Sequence, residues 1–195
     1  MVKGKIHVVR YKRKRLGKTN YRKRLKLLLS GKDRLVVRFS TNNVTAQIVS
    51  YSPKGDLVRL GVKSSSLSKH GWTFGSKNIP AAYLTGLLLA NQAKGKNYSG
   101  ELVLDTGFTT LQKQGRLFAV LRGVIDGGLP VRVGDESIFP KAEVFSGEKI
   151  AAYATKLKGE SEEKYSKQFS KYISNGVDPT KMPETFSKVK ETLLA

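Results

Sequence analysis

The chain has 195 residues, of which 39% are hydrophobic, and a formal net charge of +21. This length and hydrophobic content predict one folded domain with room for an extension, and they exclude a disordered chain. The sequence has no Cys, only two His and no apolar run of signal-peptide or membrane-spanning length, which excludes disulfides, disfavours a metal site and predicts a soluble cytoplasmic protein without a cofactor.

The first distinctive segment is a basic arm at residues 10–26, where ten of seventeen residues are Lys or Arg and none is acidic. So high a density of one charge repels itself and indicates a polyanionic partner. Tyr11 and Tyr21 lie within the arm, and their rings could stack on unpaired bases or pack on the rest of the protein. RNA is therefore the first partner that the sequence predicts.

The segments after the arm predict a small antiparallel sheet. Leu25 and Leu28 or Leu29 share one helical face and are expected to pin the arm to the body. Short apolar segments at 34–40, 44–51 and 57–62, separated by Asn- and Gly-containing turns, are typical of strands. Three strands joined by short turns predict an antiparallel meander.

A long polar connection at residues 63–78 comes next, and loops of this length are often functional. Trp72 and Phe74 within it could fill the core or face RNA. Asn78 and Pro80 predict the start of a helix. A strand at 101–104, a helix from Gly115 and a strand at 129–133 then predict a parallel pair with a right-handed crossover.

The remainder of the chain has narrow apolar faces typical of short helices. Residues 140–156 have some helical spacing, Ser161 is expected to cap a helix that includes Tyr165, Phe169 and Tyr172, and a last helix follows Pro179. We expect this segment to dock on the body or on another molecule. The predicted organisation is a basic RNA-binding arm (1–33), an α/β core domain with a mixed sheet (34–135) and a helical C-terminal extension (136–195).

Catalysis is a weaker interpretation of the acidic residues. The triplet at 105–107 is like that of aspartic proteases, but that chemistry needs two such carboxylates together, so we interpret Asp105 as a turn residue. The acids are not clustered as a two-metal nuclease requires. We predict no catalytic and no metal-binding residue. A nuclease, a DNA-compacting protein and an anionic-membrane binder remain as alternatives.

Several stretches together resemble one family of ribosomal proteins. They are YRKRLKLLLSGK at 21–32, RLVVR at 34–38, HGW at 70–72, NIPAAYLTGLL at 78–88 and RGVIDGGL at 122–129. In this order and spacing they resemble the archaeal-type family of universal large-subunit ribosomal protein eighteen, which binds 5S ribosomal RNA. The resemblance covers most of the chain from about Tyr11 to Tyr153.

The resemblance implies a non-catalytic constituent of the large ribosomal subunit with a ribonuclease-H-like α/β topology. Its implied partners are 5S ribosomal RNA, the large-subunit ribosomal RNA and neighbouring proteins of the central protuberance, with no membrane and no small-molecule substrate. The predicted RNA-binding residues, which include members of the 63–78 connection, are Arg10, Tyr11, Lys12, Arg13, Lys14, Arg15, Lys18, Tyr21, Arg22, Lys23, Arg24, Lys26, Arg34, Arg38, Ser40, Gln47, Lys63, Ser64, Trp72, Lys77 and Asn78.

Overall fold

The structure is a computed structural model, and it describes residues 9–194. A four-stranded mixed sheet has the order β3-β2-β1-β4. Strand β1 pairs antiparallel with β2 and parallel with β4, and β2 pairs antiparallel with β3. The strands are β1 (Asp33–Phe39), β2 (Val44–Ser50), β3 (Leu57–Lys63) and β4 (Leu102–Asp105). The mixed α/β class is confirmed, whereas the ribonuclease-H-like topology stays a prediction.

The helices lie on both sides of this sheet. In the described part of the chain they are α1 (Lys12–Arg15), α2 (Tyr21–Leu28), α3 (Ile79–Gly95), α4 (Arg116–Asp126), α5 (Ala142–Phe145), α6 (Glu148–Glu160), α7 (Glu162–Gln168), α8 (Ser170–Ser174) and α9 (Met182–Leu194). A 3-10 helix at Ser64–His70 opens the long connection. Across residues 9–194, no helix combines the length and the apolar character that a membrane crossing requires.

Alternation along β1 divides the sheet into an apolar face and a charged face. Leu35 and Val37 are fully buried on the face that packs against α3 and α4. Arg34, Val36 and Arg38 alternate with them and therefore lie on the opposite face. The strands predicted from residues 34–62 are thus present with nearly the predicted bounds.

Helices α3 and α4 form the apolar layer under the sheet. The side chain of Asn78 accepts a hydrogen bond from the N–H of Ala81 at 2.8 Å, which confirms the predicted cap of α3. Two glycines bring the helices close together, because a Cβ at Gly86 would overlap the carbonyl oxygen of Val120 and one at Gly123 would overlap that of Tyr83. The core is therefore continuous from the sheet through both helices.

The strand predicted at 129–133 is wrong in extent. Only Val131 forms a bridge, parallel to Leu102 of β4. The carbonyl of Pro130 accepts from the N–H of Leu102 at 2.9 Å, but Pro130 has no N–H to extend the ladder. The connection after β4 therefore leads to a single parallel bridge and not to a fifth strand, and its right-handedness stays a prediction.

Of the leucines predicted to pin the arm to the body, Leu28 is partly buried, whereas Leu25 and Leu29 are not. Leu25 and Leu29 are 60% and 77% exposed, and no residue of α2 is buried. Leu27 lies at the edge of a cleft between α2 and the sheet. Because no residue of α2 is fully buried, polar contacts contribute much of the attachment of the arm.

The single helix predicted after Ser161 is interrupted at Phe169. Ser161 does accept from the N–H of Lys164, but Phe169 has a non-helical conformation and separates α7 from α8. The interruption lets Phe169 pack with Leu157 while Tyr172 reaches the ring of Phe74, 5.9 Å away. The short helices therefore follow the surface of the body.

Helix α9 is part of the main core. Met182, Phe186, Val189 and Leu193 are all buried in the cluster that contains α3, and the carbonyl of Leu193 accepts from Asn91 Nδ2 at 2.6 Å. Of the two expected docking partners for this region, the body is the one that the structure shows. The division at 33 and 135 stays a proposal, and α9 links the extension to the body.

Candidate nucleic-acid interface

The charged face of the sheet is the starting point of the site. Its β1 side chains, Arg34, Val36 and Arg38, lie beside Gln47 and Val49 of β2, because Val36 is in register with Gln47 and Arg34 with Val49. Val36 also pairs with Asp105 of β4. The register thus brings cationic, amide and carboxylate groups from three strands onto one surface.

Helix α2 crosses this surface and is tied to it on two sides. Arg24 Nη1 and Nη2 donate to the two carboxylate oxygens of Asp56, each at 2.7 Å. Lys23 Nζ donates to Thr106 Oγ1 at 2.5 Å and to the carbonyl of Gly107 at 3.2 Å. A cleft of about 290 Å³ separates α2 from the sheet. The arm therefore covers the charged face without sealing it.

Arg34 is the most buried charge of the cleft, with a side chain only 4% exposed. Its Nη1 donates to Asp105 Oδ2 at 3.0 Å, and its Nη2 lies 2.7 Å from Asp56 Oδ2, at ion-pair distance but outside hydrogen-bond geometry. Its Nε has no partner in the described part of the chain. Arg38 Nη2 donates to Asp105 Oδ1 at 3.1 Å, so two carboxylates are shared among three arginines.

The electrostatics keep both carboxylates ionised. The hydrogen bonds from Arg24 lower the pKa of Asp56 most, partial burial opposes them, and Arg34 adds to the effect, which brings the pKa to about 2. Burial alone would raise the pKa of Asp105, but the N–H of Gly107 and the two arginines outweigh burial and hold the pKa below its ordinary value. At neutral pH the cleft is therefore a fixed ion network.

The remaining cations of the arm are exposed, although Arg13 and Lys18 also line the mouth of the cleft. Arg13 Nε donates to Thr19 Oγ1 at 2.8 Å within the arm. No ion pair between these cations and an acid occurs within residues 9–194. The exposed set comprises Arg10, Lys12, Arg13, Lys14, Arg15, Lys18, Arg22 and Lys26. The predicted contacts therefore divide into this exposed set and a paired set formed by Lys23, Arg24, Arg34 and Arg38.

The two tyrosines of the arm contact each other. Their ring centroids are 5.2 Å apart, and Tyr11 is 74% exposed. Of the two predicted alternatives, packing on the body does not apply to Tyr11. Its open ring face is available for stacking on a base.

Several predicted contacts from the first turn and the long connection have roles inside the protein. Ser64 accepts from the N–H of Val44 at 2.9 Å and is buried, and Trp72 is only 3% exposed and packs against Phe74. Lys77 Nζ donates to the carbonyl of Thr41 at 3.1 Å. The prediction of a direct RNA contact by the Trp72 ring is corrected, because the ring fills the core.

Other members of this group close turns or lie at the surface. Asn78 caps α3, and Ser40 accepts from the N–H of Asn43 at 3.1 Å in the β1–β2 turn. Gln47 is partly exposed on the charged face, and Lys63 is exposed at the end of β3. Among these four, Ser40 and Lys63 are exposed and Gln47 is partly exposed, so their side chains remain accessible to a ligand.

Sequence reasoning missed the organising role of two acids: Asp105, interpreted as a turn residue, and Asp56, which belongs to the turn before the segment 57–62. Their partners Arg24 and Arg34 lie 32 and 71 residues away in the chain. One signal was present: Arg34 is a charged residue within a buried strand pattern, and a buried cation requires a counter-ion. The same pairs occupy the acids that a nuclease would use, and no group of three potential metal-ligating side chains occurs in the part of the chain that the structure describes.

The fold and this surface define a class of protein: a mixed α/β body that carries an exposed basic arm. Residues 5–101, about half of the chain, match the family described as ribosomal large subunit proteins 60S L5 and 50S L18. The chain belongs to this family of large-subunit ribosomal proteins. The matched segment includes the arm, β1 to β3 and α3, and it contains Asp56 but not Asp105.

Proposed function

We propose that this protein binds 5S ribosomal RNA and helps to attach it to the large-subunit ribosomal RNA in the central protuberance. The family match supports a place in the large subunit. The observation that carries the proposal is the exposed set of eight cations on the arm, next to the open ring of Tyr11. Phosphate contacts from these cations would fix the protein on the RNA, and unpaired bases near Tyr11 would add specificity.

The role proposed for the protein is structural and non-catalytic. Asp56 and Asp105 both accept from arginines, which supports a part in holding the fold together. Neighbouring large-subunit proteins are further proposed partners, and the ribosome is the proposed location.

A competition titration tests the choice of RNA. The protein is titrated with labelled 5S ribosomal RNA in the presence of magnesium, with transfer RNA and duplex DNA as competitors, at several salt concentrations. If about eight cations contact phosphates, log affinity should fall with log salt at a slope of roughly −6 to −7. We expect 5S ribosomal RNA to be preferred at every salt concentration, without cleavage. Equal competition by all three nucleic acids would overturn the proposal.

A variant of the arm tests the place of binding. Replacement of Lys12, Lys14 and Arg15 by Ala should weaken binding by about tenfold or more and reduce the salt slope by about 2 to 3. The matched control removes Lys149, Lys164 and Lys167, three exposed cations of α6 and α7. Equal losses in the two variants would show that only net charge matters and that the arm is not the binding element.

A further inference from the structure

Helix α2 has little intrinsic stability. It has only eight residues, none of them buried, and no acidic residue in its first turn. Arg22 and Lys23 lie near its N-terminus, where the helix dipole disfavours positive charge. So short a helix is marginal in water without tertiary contacts. Asn20 caps it and Leu27 and Leu28 are partly buried, but the contacts that fix its place on the sheet most specifically are the hydrogen bonds of Lys23 and Arg24.

The contact between Arg24 and Asp56 is the stronger of the two. Asp56 accepts two parallel hydrogen bonds from Arg24, the bidentate geometry that makes arginine–carboxylate pairs strong and specific. Asp56 is itself held by Arg34 of β1, which in turn is held by Asp105 of β4. Both carboxylates lie against the same buried arginine, so Asp56 faces Arg24 from the edge of a buried ion network.

We propose that Asp56 is a positioning residue for RNA binding, one that latches α2 onto the sheet and makes no contact with RNA. The inference rests on the proposed function for its effect on affinity, but the latch itself is a property of the free protein. With α2 latched, the exposed cations at 10–18 and at Arg22 and Lys26 are presented in one arrangement. An unlatched arm must be ordered during binding, which lowers the apparent affinity by the fraction of time that the arm is in place.

The sign of the effect separates this role from simple electrostatics. Replacement of an acid by a neutral residue beside a basic surface should strengthen the attraction for RNA. Loss of the latch should weaken it. For Asp56→Asn we therefore expect a Kd for 5S ribosomal RNA that is about three- to tenfold higher than for the wild type, although the protein becomes more positive.

The matched control is Glu143→Gln, which makes the same change of charge at an exposed position of α5. The structure shows no ion pair for Glu143 within residues 9–194. We expect its Kd to be unchanged or slightly lower. If Asp56→Asn binds as tightly as Glu143→Gln, or more tightly than the wild type, the positioning role is overturned.

Hydrogen exchange in the free protein gives a readout that does not depend on RNA. Amides of Tyr21–Leu28 should exchange faster in Asp56→Asn than in the wild type, while amides of β1 and β2 stay protected. Unchanged exchange in α2 would show that Asp56 does not hold the helix, and the inference would fail.

A second variant distinguishes release of α2 from general destabilisation of the protein. Arg24→Gln breaks the tie from the side of the arm and leaves Asp56 with Arg34 and Arg34 with Asp105. It should release α2 to the same extent, and the double variant Arg24→Gln with Asp56→Asn should show no additional release. Independent, additive effects of the two changes would overturn the latch.

The two proposals fail in different ways. If the wild type shows no preference for 5S ribosomal RNA, the proposed function fails, and hydrogen exchange still decides whether Asp56 holds α2. If the wild type is selective but Asp56→Asn binds equally well, the proposed function stands and the positioning role of Asp56 in RNA binding is overturned, whatever hydrogen exchange shows for α2.

Discussion

Helices α3 and α4 cover one face of the sheet with apolar side chains, whereas α2 covers the other face mainly through the Arg24–Asp56 ion pair and the hydrogen bonds of Lys23. On the first face Leu35 and Val37 are fully buried, and the helices approach so closely that glycine is required at the contact. On the second face α2 buries none of its residues. Apolar packing responds little to salt and pH, whereas partly exposed ion pairs respond to both. The α3 and α4 layer and helix α2 should therefore detach from the sheet under different conditions.

The largest effect is expected on the apolar side, for Gly123→Ala. The new methyl group would overlap the carbonyl oxygen of Tyr83, so α3 and α4 must separate. We expect a loss of about 3 kcal/mol in the free energy of unfolding, measured by urea titration. Gly95→Ala in α3 is the control, because a Cβ there meets only open space. Similar unfolding midpoints for the two variants would contradict the close packing.

An intermediate effect is expected for Arg34→Met, which removes the buried centre of the ion network. Asp105 would stay buried with Arg38 as its remaining arginine, and Asp56 would keep Arg24. We expect a loss of about 2 kcal/mol in the free energy of unfolding. Arg59→Met changes an exposed arginine of β3, which is separated from β1 by β2. It gives up a hydrogen bond to Ser50 Oγ at 2.9 Å but no buried ion pair, so it should cost clearly less than Arg34→Met. A fully stable Arg34→Met variant would show that the network costs as much as it contributes.

The smallest effect is expected when the pH is lowered, and it is confined to helix α2 of the arm. The pKa of Asp56 lies near 2, below its ordinary value of 3.8. A carboxylate with a lowered folded-state pKa stabilises the structure fully above its ordinary pKa and loses that contribution as the pH falls through the folded value. We therefore expect protection of α2 to be constant from pH 7 to about 4 and to decline toward pH 2.

Hydrogen exchange measured along this pH series, corrected for the intrinsic exchange rate, checks the expectation. In the Asp56→Asn variant the acid-dependent change in α2 should disappear, because the titrating group is absent. An identical decline in both proteins would assign the effect to another acid.

Local signals in the sequence were sufficient for most elements. The alternation of 34–40 and 44–51 and the cap at Asn78 are properties of short segments, and the structure has β1, β2 and the start of α3 at these positions. The predicted strand at 129–133 is reduced to one bridge at Val131. The sequence did not predict this, because it does not show that Pro130, which has no N–H, lies beside β4, where the ladder would need one. The break at Phe169 has the same origin, since Tyr172 reaches Phe74 only after the chain has folded around the body.

The site was predictable in composition but not in arrangement. The charge run at 10–26 indicated a polyanion partner, yet nothing local distinguished exposed Arg22 from Arg24, which is paired with an acid 32 residues away. Adjacent cations of one arm therefore have different roles, one open to a ligand and the other part of the scaffold. Such a distinction requires the register of the sheet.

The place of α9 in the core has a consequence for the order of events during synthesis. Met182, Phe186, Val189 and Leu193 cover α3, and they are translated long after the arm. Until they emerge, the apolar surface of α3 that they cover is open, and the basic segment is already outside the exit tunnel of the translating ribosome. The nascent chain thus exposes its most charged part and an unfinished hydrophobic surface at the same time, so the interval before α9 arrives is when it is most prone to aggregation.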